Sequence, residues 1–198
     1  MAIGRLASGA LVSALLLSGC ALLGGGASEP LDTYELTAPQ PVSTGRRAGT
    51  QILIAEPTAL KALDSENIVI KPAPAVIQYL SGAQWADRLP RIVQARLAET
   101  FQRSGRIGVG KPGEGLAIDY QVIIDIRSFE IRLDGGDRAE IELFVRILND
   151  RNGVVRSARL FSATAPVGGG GNGAFIAALD QAFGTAATEI VEWTASQI

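Results

Sequence analysis

The sequence predicts an α/β (α+β) domain in which a mixed β-sheet with a three-strand antiparallel meander packs against two main helices. From residue 118 to residue 165, apolar and polar residues alternate through three successive segments separated by turn signatures. The segments before and after this meander carry apolar residues at helical spacing instead. With 198 residues, of which 47% are hydrophobic and 19% charged, the chain is large enough for one core and small for two.

The amino terminus predicts an exported, lipid-modified protein. Arg5 precedes an apolar run from Leu6 to Leu17, which has the length of a signal-peptide core and is shorter than the roughly 20 apolar residues that span a bilayer. Leu17-Ser18-Gly19-Cys20 follows and resembles the lipobox of bacterial lipoproteins, in which cleavage before the cysteine frees it for acylation. We therefore expect a signal peptide at residues 1–19 and lipidation of Cys20.

The residues after the lipobox predict a tether and a location. Residues 20–45 contain three consecutive glycines and several prolines, which favours a lipidated, flexible segment ahead of a single domain at 46–198. Residue 21 is Ala rather than Asp, so the commonest inner-membrane retention signal is absent. Under the enterobacterial sorting rule this predicts the inner leaflet of the outer membrane, facing the periplasm. An uncleaved signal anchor is the alternative, and the short apolar run disfavours it.

The first half of the domain predicts short strands and one helix. Four apolar runs of strand length are bounded by Pro, Gly or polar clusters, at residues 33–37, 51–55, 67–70 and 75–79. From Trp85 to Arg103, apolar residues recur at spacings of three and four, which predicts one buried helical face. Pro90 must then lie in the first turns, and Ser104-Gly105 is typical of a helix end.

The meander can be followed by the parity of its apolar residues. They occupy even positions from Ile118 to Ile126 and odd positions from Phe129 to Leu133, so we expect a β-bulge near Arg127-Ser128. A turn signature at 134–137 separates this first strand from the second, around 141–147. Another at 150–153 separates the second strand from the third, at 154–165.

A glycine-rich segment at 168–173 interrupts the pattern and is interpreted as a mobile linker, because no Gly-Lys-Ser/Thr sequence follows that would favour phosphate binding. Residues 174–196 then predict a closing helix with one apolar stripe. This stripe is interpreted as core packing, with partner binding as the alternative. Its members are Phe175, Leu179, Phe183, Ala186, Ile190 and Trp193.

Composition excludes much of enzyme chemistry. The chain has no His and one Cys, so histidine-based nucleophile systems, histidine metal sites, disulfides and thiolate zinc clusters are not available within it. Two carboxylate pairs are candidates for general acid–base catalysis, Asp125 with Glu130 and Asp134 with Asp137. The second pair lies in a turn, where aspartate is expected for structural reasons alone. A net charge of −2 without basic runs disfavours nucleic-acid binding. We predict no enzyme activity, no cofactor and no metal.

An ordered set of segments connects the chain to a known family. Behind the lipobox, the set comprises Tyr34-Glu35-Leu36, Trp85-Ala86-Asp87-Arg88-Leu89-Pro90-Arg91, the stretch from Glu99 to Arg106, Asp119-Tyr120, Ile126-Arg127-Ser128-Phe129-Glu130, and a closing helix with Trp193. This set resembles the ABC-type transport auxiliary lipoproteins, the group that contains paraquat-inducible protein C. The resemblance covers nearly all of the mature chain.

The resemblance implies a fold and partners. The fold would be a mixed-sheet sandwich like that of TolB-like amino-terminal domains and curli-secretion lipoproteins. The partners would be an MCE (mammalian cell entry) domain protein with its ABC permease and ATPase, which move lipid, such as phospholipid, between the inner and outer membranes. This protein would be the outer-membrane component. A scaffolding or assembly lipoprotein of another envelope machine, such as a secretion channel or a cell-wall synthase activator, is the alternative. The sequence is also compatible with a homo-oligomer.

The shared stretch also supplies the candidate contact residues. Trp85 and Leu89 are interpreted as core packing, whereas Arg88 and Arg91, which flank Pro90, form either a solvated helix face or a docking surface for an acidic partner. We keep Trp85, Arg88 and Arg91 as candidate partner-docking residues, beside Cys20 as the lipidation site.

Overall fold

One long strand, β7, organises the sheet. The structure is a computed structural model that describes residues 30–40, 49–110, 113 and 115–198. Within them lie nine strands and two helices, in chain order β1 (Asp32–Tyr34), β2 (Gln51–Ile54), β3 (Thr58–Ala59), β4 (Asn67–Ala73), β5 (Val76–Trp85), α1 (Leu89–Ser104), β6 (Gly108–Gly110), β7 (Tyr120–Arg132), β8 (Arg138–Asn149), β9 (Val155–Pro166) and α2 (Asn172–Gln197).

Strand β7 has neighbours along both edges. On one edge β8 pairs with it antiparallel, and β9 pairs antiparallel with β8. On the other edge β2, β3 and β4 pair with it in parallel, one after another along its length. Strand β5 extends the sheet antiparallel to β4, β1 runs parallel to β5, and β6 runs parallel to β2. The predicted mixed sheet with its antiparallel meander is confirmed.

The predicted bulge lies in β7 at the expected place. Ile126 is opposite Leu143 and Ser128 is opposite Glu142, so Arg127 is the extra residue. Because this residue resets the alternation, the apolar residues on both sides of it face the same way. Ile126 and Phe129 are both buried, and so is every second residue of β8 from Ala139 to Ile147.

Both helices pack on the apolar face of the sheet. Helix α1 contacts β2 and β6, helix α2 contacts β8 and β9, and the helices contact each other. Helix α1 begins at Leu89, with Pro90 in its first turn, and ends at Gly105, whose φ of 64° is the left-handed conformation that glycine adopts readily. The predicted stripe of α2 points into the core: Leu179, Phe183, Ala186 and Ile190 are buried, and Phe175 and Trp193 pack at its border.

Four details differ from the sequence prediction. Trp85 is the last residue of β5 rather than the first of the helix, because β5 runs on past a break in its register opposite residues 67–69. Strands β3 and β6 have two and three residues and were not predicted. Helix α2 begins two residues before the predicted start.

The amino-terminal boundary of the fold is the fourth difference. The tether was expected to reach residue 45, but β1 pairs with β5, and Leu36 and Ala38 are buried in the core. Residues Leu31–Ile198 form one compact unit. The predicted signal peptide and Cys20 lie outside the described residues. Neither helix of the described part is long and apolar enough to cross a membrane.

Candidate functional site

The start of helix α1 brings together the arginine singled out in the sequence and two carboxylates. Arg88 Nε donates to Asp64 Oδ1 at 2.8 Å, and Arg88 Nη1 donates to Glu56 Oε1 at 3.1 Å. Both carboxylates come from the segment between β2 and β4, so Arg88 bridges that segment to the helix. The hydrogen bond to Asp64 is the main reason why the pKa of Arg88 is raised. Its charge is therefore already compensated inside the domain.

Arg91 is differently placed. Its side chain is 56% exposed, and its Nη1 lies 3.6 Å from Asp87 Oδ2 across one turn of α1. An exposed pair at this separation contributes little to stability. Of the two arginines, Arg91 has the more accessible side chain, since that of Arg88 is 38% exposed.

Trp85 lies in the core. Its side chain is 1% exposed and packs edge-to-face on Phe129, with ring centroids 6.0 Å apart. Its backbone N–H donates to the carbonyl of Glu66, and the N–H of Leu89 donates to the carbonyl of Ser65. Trp85 thus fixes where α1 begins but offers no surface in the folded domain. This agrees with the core interpretation and not with direct contact to a partner.

A strap of residues 35–38 contacts both helices. Arg96 of α1 contacts Glu35 at 2.6 Å, and Arg103 of α1 donates to the carbonyl of Ala38. Thr37 donates its backbone N–H and its hydroxyl to the two carboxylate oxygens of Asp180 in α2, each at 2.7 Å. Residues 35–38 are therefore clamped to the helical layer, which sequence reasoning missed because the partners are up to 143 residues away.

The face of the sheet opposite the helices carries a charged network. Arg132 contacts Asp134 at 2.6 Å and Glu130 at 3.5 Å, and Lys71 Nζ lies 3.1 Å from Glu130. The hydrogen bonds from Arg132 hold the pKa of Asp134 below its usual value. Arg138 and Glu140 complete the network, so three cations face three carboxylates. Such a balanced network leaves no excess charge for an ionic ligand.

A cleft of about 340 Å³ opens where β2 and β7 begin. Asp119 is its anionic group: the carboxylate accepts from the N–H of Gln51 at 3.0 Å and from Arg151 at 2.9 Å. The first of these bonds is the main reason why the pKa of Asp119 is lowered. The two charged groups that line this cleft, Asp119 and Arg151, therefore pair with each other.

The carboxylate pairs weighed in the sequence are not arranged for glycoside-type chemistry. Asp125 and Glu130 are opposite Phe144 and Glu140 of β8, four residues apart, which is about 13 Å at strand spacing. This Cα spacing is wider than the roughly 5 to 9.5 Å between paired catalytic carboxyl groups, and each carboxylate lies beside cations of its own, Arg127 for Asp125 and Lys71 with Arg132 for Glu130. Asp134 is bound to Arg132 in the turn that it shares with Asp137. In the described residues no cluster of three or more His, Cys, Asp or Glu is placed to hold a metal ion.

Comparison with known proteins identifies the family. Residues 34–191 match the family model described as the ABC-type transport auxiliary lipoprotein component. The chain belongs to this family. The match covers the clamped strap, α1, α2 as far as residue 191 and the whole sheet except the first residues of β1, and it agrees with the resemblance that the sequence segments show.

Two further proteins are similar to this auxiliary lipoprotein component. The uncharacterized protein bll6063 of Bradyrhizobium diazoefficiens is 35% identical over 178 residues, which are 87% of this chain and 47% of that protein. The chain thus spans about half the length of this curated relative. The crystal structure of XCC0632 from Xanthomonas campestris is 29% identical and has a TM-score of 0.75, covering 83% of this chain and 95% of that one.

A more distant structure shares the fold alone. The hypothetical protein CT253 from Chlamydia trachomatis has a TM-score of 0.54 at 10% identity, over 76% of this chain and 98% of that one.

Proposed function

We propose that this auxiliary lipoprotein is a non-catalytic, lipid-anchored component of an MCE-type ABC transporter and acts at the periplasmic face of the outer membrane in phospholipid trafficking between the two membranes. The family match over residues 34–191 is the observation on which the proposal depends. The lipobox resemblance at Leu17-Ser18-Gly19-Cys20, ahead of that match, supports the membrane location.

The anchor defines the first part of the proposal. Cleavage before Cys20 removes residues 1–19, and the acylated cysteine holds the domain at the bilayer. Several acyl chains on one residue give stable anchoring, whereas one chain binds only marginally, at about 0.8 kcal/mol for each buried CH₂. The domain boundary at residue 31 leaves residues 21–30 as the tether.

Contact rather than chemistry defines the second part. The chain has no His, and its one thiol is used by the lipid. The carboxylates of the cleft and of the charged network are bound to arginines, which supports a role in holding the fold. We place partner docking at the start of α1, where Arg91 is exposed and Arg88 is fixed by Asp64 and Glu56.

The partner is tested by cross-linking in the native envelope followed by affinity purification of the tagged full chain. Recovery of an MCE-domain protein with its permease and ATPase is the expected result. Arg91→Glu is expected to reduce this recovery, whereas Arg151→Glu, at a more exposed arginine on another surface, is expected to leave it unchanged. Recovery of secretion-channel or cell-wall synthase subunits instead would replace the proposal with the scaffolding function.

The anchor is tested separately by labelling cells with radioactive fatty acid. The wild-type chain is expected to incorporate the label, and Cys20→Ala is expected to abolish incorporation. Continued labelling of Cys20→Ala would exclude the lipobox interpretation while leaving the partner proposal open to its own experiment.

A further inference from the structure

The hairpin between β4 and β5 exposes apolar side chains at its end. Ala73 is opposite Val76, so the chain reverses through Pro74 and Ala75. In the hairpin tip, which we define as Pro72–Tyr79, Val76 is 42% exposed, Ile77 49% and Tyr79 48%. Single exposed apolar residues are ordinary, but three within four residues at a projecting end form a patch that usually marks a contact.

The tip also lacks charge and extends past the last residue of β7. No Asp, Glu, Lys or Arg occurs between Lys71 and Asp87. Lys71 is opposite Arg132, where β7 ends, so the residues after Lys71 extend past the neighbouring strand. Pro72 and Pro74 carry no backbone N–H, which lowers the cost of removing this turn from water.

The chain enters the fold from the same direction. Strand β1 runs parallel to β5, with Asp32 opposite Ala83 and Tyr34 opposite Trp85. The amino-terminal end of β1 is therefore the end nearer to Val76 and the hairpin tip. Leu31, which directly precedes β1, is 50% exposed.

The remaining chain is short. Ten residues separate Cys20 from Leu31. Their fully extended length is at most about 36 Å, and a flexible chain of that length has a mean end-to-end distance of roughly 18 Å. An anchor at Cys20 therefore keeps the end of the sheet that carries the hairpin tip close to the bilayer.

We propose that the hairpin tip inserts into the interfacial region of the membrane that holds the anchor, with Val76 and Ile77 among the acyl chains and Tyr79 at the headgroups. Aromatic residues with a polar end favour that boundary. This inference rests on the proposed lipidation of Cys20. A lipid surface fits the tip better than a charged partner, because the tip offers no charge for an ion pair and the tether already brings it to the lipid.

The test uses the full lipidated chain with one added thiol. Val76→Cys is labelled with the environment-sensitive dye NBD, since acylated Cys20 has no free thiol. The chain is then incorporated into vesicles of phosphatidylethanolamine and phosphatidylglycerol, with or without spin-labelled lipid as quencher. Val154→Cys is the matched control. Val154 is also exposed, but it follows the β8–β9 turn beside the start of β7, at the opposite end of the sheet.

The expected result is a blue shift, a several-fold rise in emission and quenching by spin-labelled lipid for the Val76 probe, with water-like emission for the Val154 probe. Ile77→Asp in the Val76→Cys background is expected to return the probe to water, because the charge opposes insertion. Two results overturn the hairpin proposal and leave the anchor intact. One is the same change of emission for both probes. The other is water-like emission from the Val76 probe when the protein floats with the vesicles.

Two other outcomes would also overturn membrane insertion of the hairpin tip, each for a different reason. A desolvated Val76 probe that lipid quenchers do not reach indicates a protein, including a second copy of this chain, as the occupant and overturns membrane insertion. Labelling of two thiols and failure to float with vesicles show that Cys20 is not acylated, and this inference falls together with the anchor.

Discussion

At the scale of the residue, neighbouring positions of one motif have opposite roles. Trp85 is buried against Phe129, whereas Arg91, six positions later, has its side chain more than half exposed. The type of residue predicted this difference, because an indole stabilises a core and an arginine at a helix start is usually solvated. The partners of Arg88 were not predictable, because Asp64 and Glu56 precede it in a turn whose position depends on the whole sheet.

Substitution of Trp85 separates packing from docking. Trp85→Ala is expected to lower the free energy of unfolding by about 3–5 kcal/mol, the usual cost of an aromatic core cavity. Arg91→Ala is expected to change it by less than about 0.5 kcal/mol. Urea unfolding followed by circular dichroism measures both. A Trp85→Ala variant of wild-type stability that loses its cross-linked partner would assign the indole to the partner surface instead.

Asp119 gives a prediction for pH. Its pKa is lowered in the folded protein, mainly by the N–H of Gln51, so the ionised form favours folding above the ordinary carboxyl value near 3.8. This stabilisation is lost as the pH falls through the lowered pKa. Wild type is therefore expected to be more stable than Asp119→Asn at pH 7, with the difference shrinking at pH 3.

Urea midpoints at the two pH values measure the effect of Asp119. Asp137→Asn, at an exposed position of the β7–β8 turn, is the control and is expected to have a small effect at both. A difference between wild type and Asp119→Asn that persists undiminished at pH 3 would contradict an electrostatic role.

At the scale of the element, predictability followed length and regularity. The meander was predictable because each of its strands buries one face over many residues, so the alternation is long enough to read. Strands β3 and β6 are too short to show a period. Strand β5 was predicted to end at Tyr79, because the apolar run 75–79 has strand length and is bounded by Pro, Gly or polar residues. The strand instead continues to Trp85, past a break in its register and past Gly82, whose φ of 71° suits that irregularity.

The bulge in β7 predicts an unusual tolerance. Deleting Arg127 leaves Ile126 facing inward, Ser128 outward and Phe129 inward, so regular pairing with β8 keeps every apolar residue in the core. Deleting Ile123, in the regular part of the strand, places the residues on one side of the gap on the wrong face. The Arg127 deletion is expected to fold, with the modest loss of its contact to the Phe144 ring at 4.4 Å.

The two deletions are compared by soluble yield and by the cooperativity of urea unfolding. The Ile123 deletion is expected to give little folded protein. Equal loss of folding in both deletions would show that the bulge is needed for the bend of β7, and not only to keep the apolar side chains on both sides of it on the same face.

At the scale of the whole molecule, long-range pairing determines the shape, and a single sequence does not disclose it. Strands β2, β3 and β4 all pair with β7, and the paired residues lie 61 to 68 positions apart in the chain. The sequence predicted two helices, which are too few to cover both faces of the sheet. It did not indicate that both share one face or that the strap at 35–38 binds both of them.

The last prediction concerns the clamp of the strap at 35–38, which joins β1 to the helical layer. Thr37 gives two hydrogen bonds to the Asp180 carboxylate, and Leu36 and Ala38 beside it are buried. Hydrogen bonds to a charged group contribute about 1.5–3 kcal/mol, so Asp180→Ala is expected to speed amide exchange at residues 36–38 by roughly 10- to 100-fold.

Glu189→Ala, at an exposed position of the same helix, is the control and is expected to leave exchange unchanged. Acceleration confined to the strap would show that it opens separately from the sheet. Acceleration throughout β8 and β9 would show instead that Asp180 supports the whole helical layer, because α2 packs on those strands.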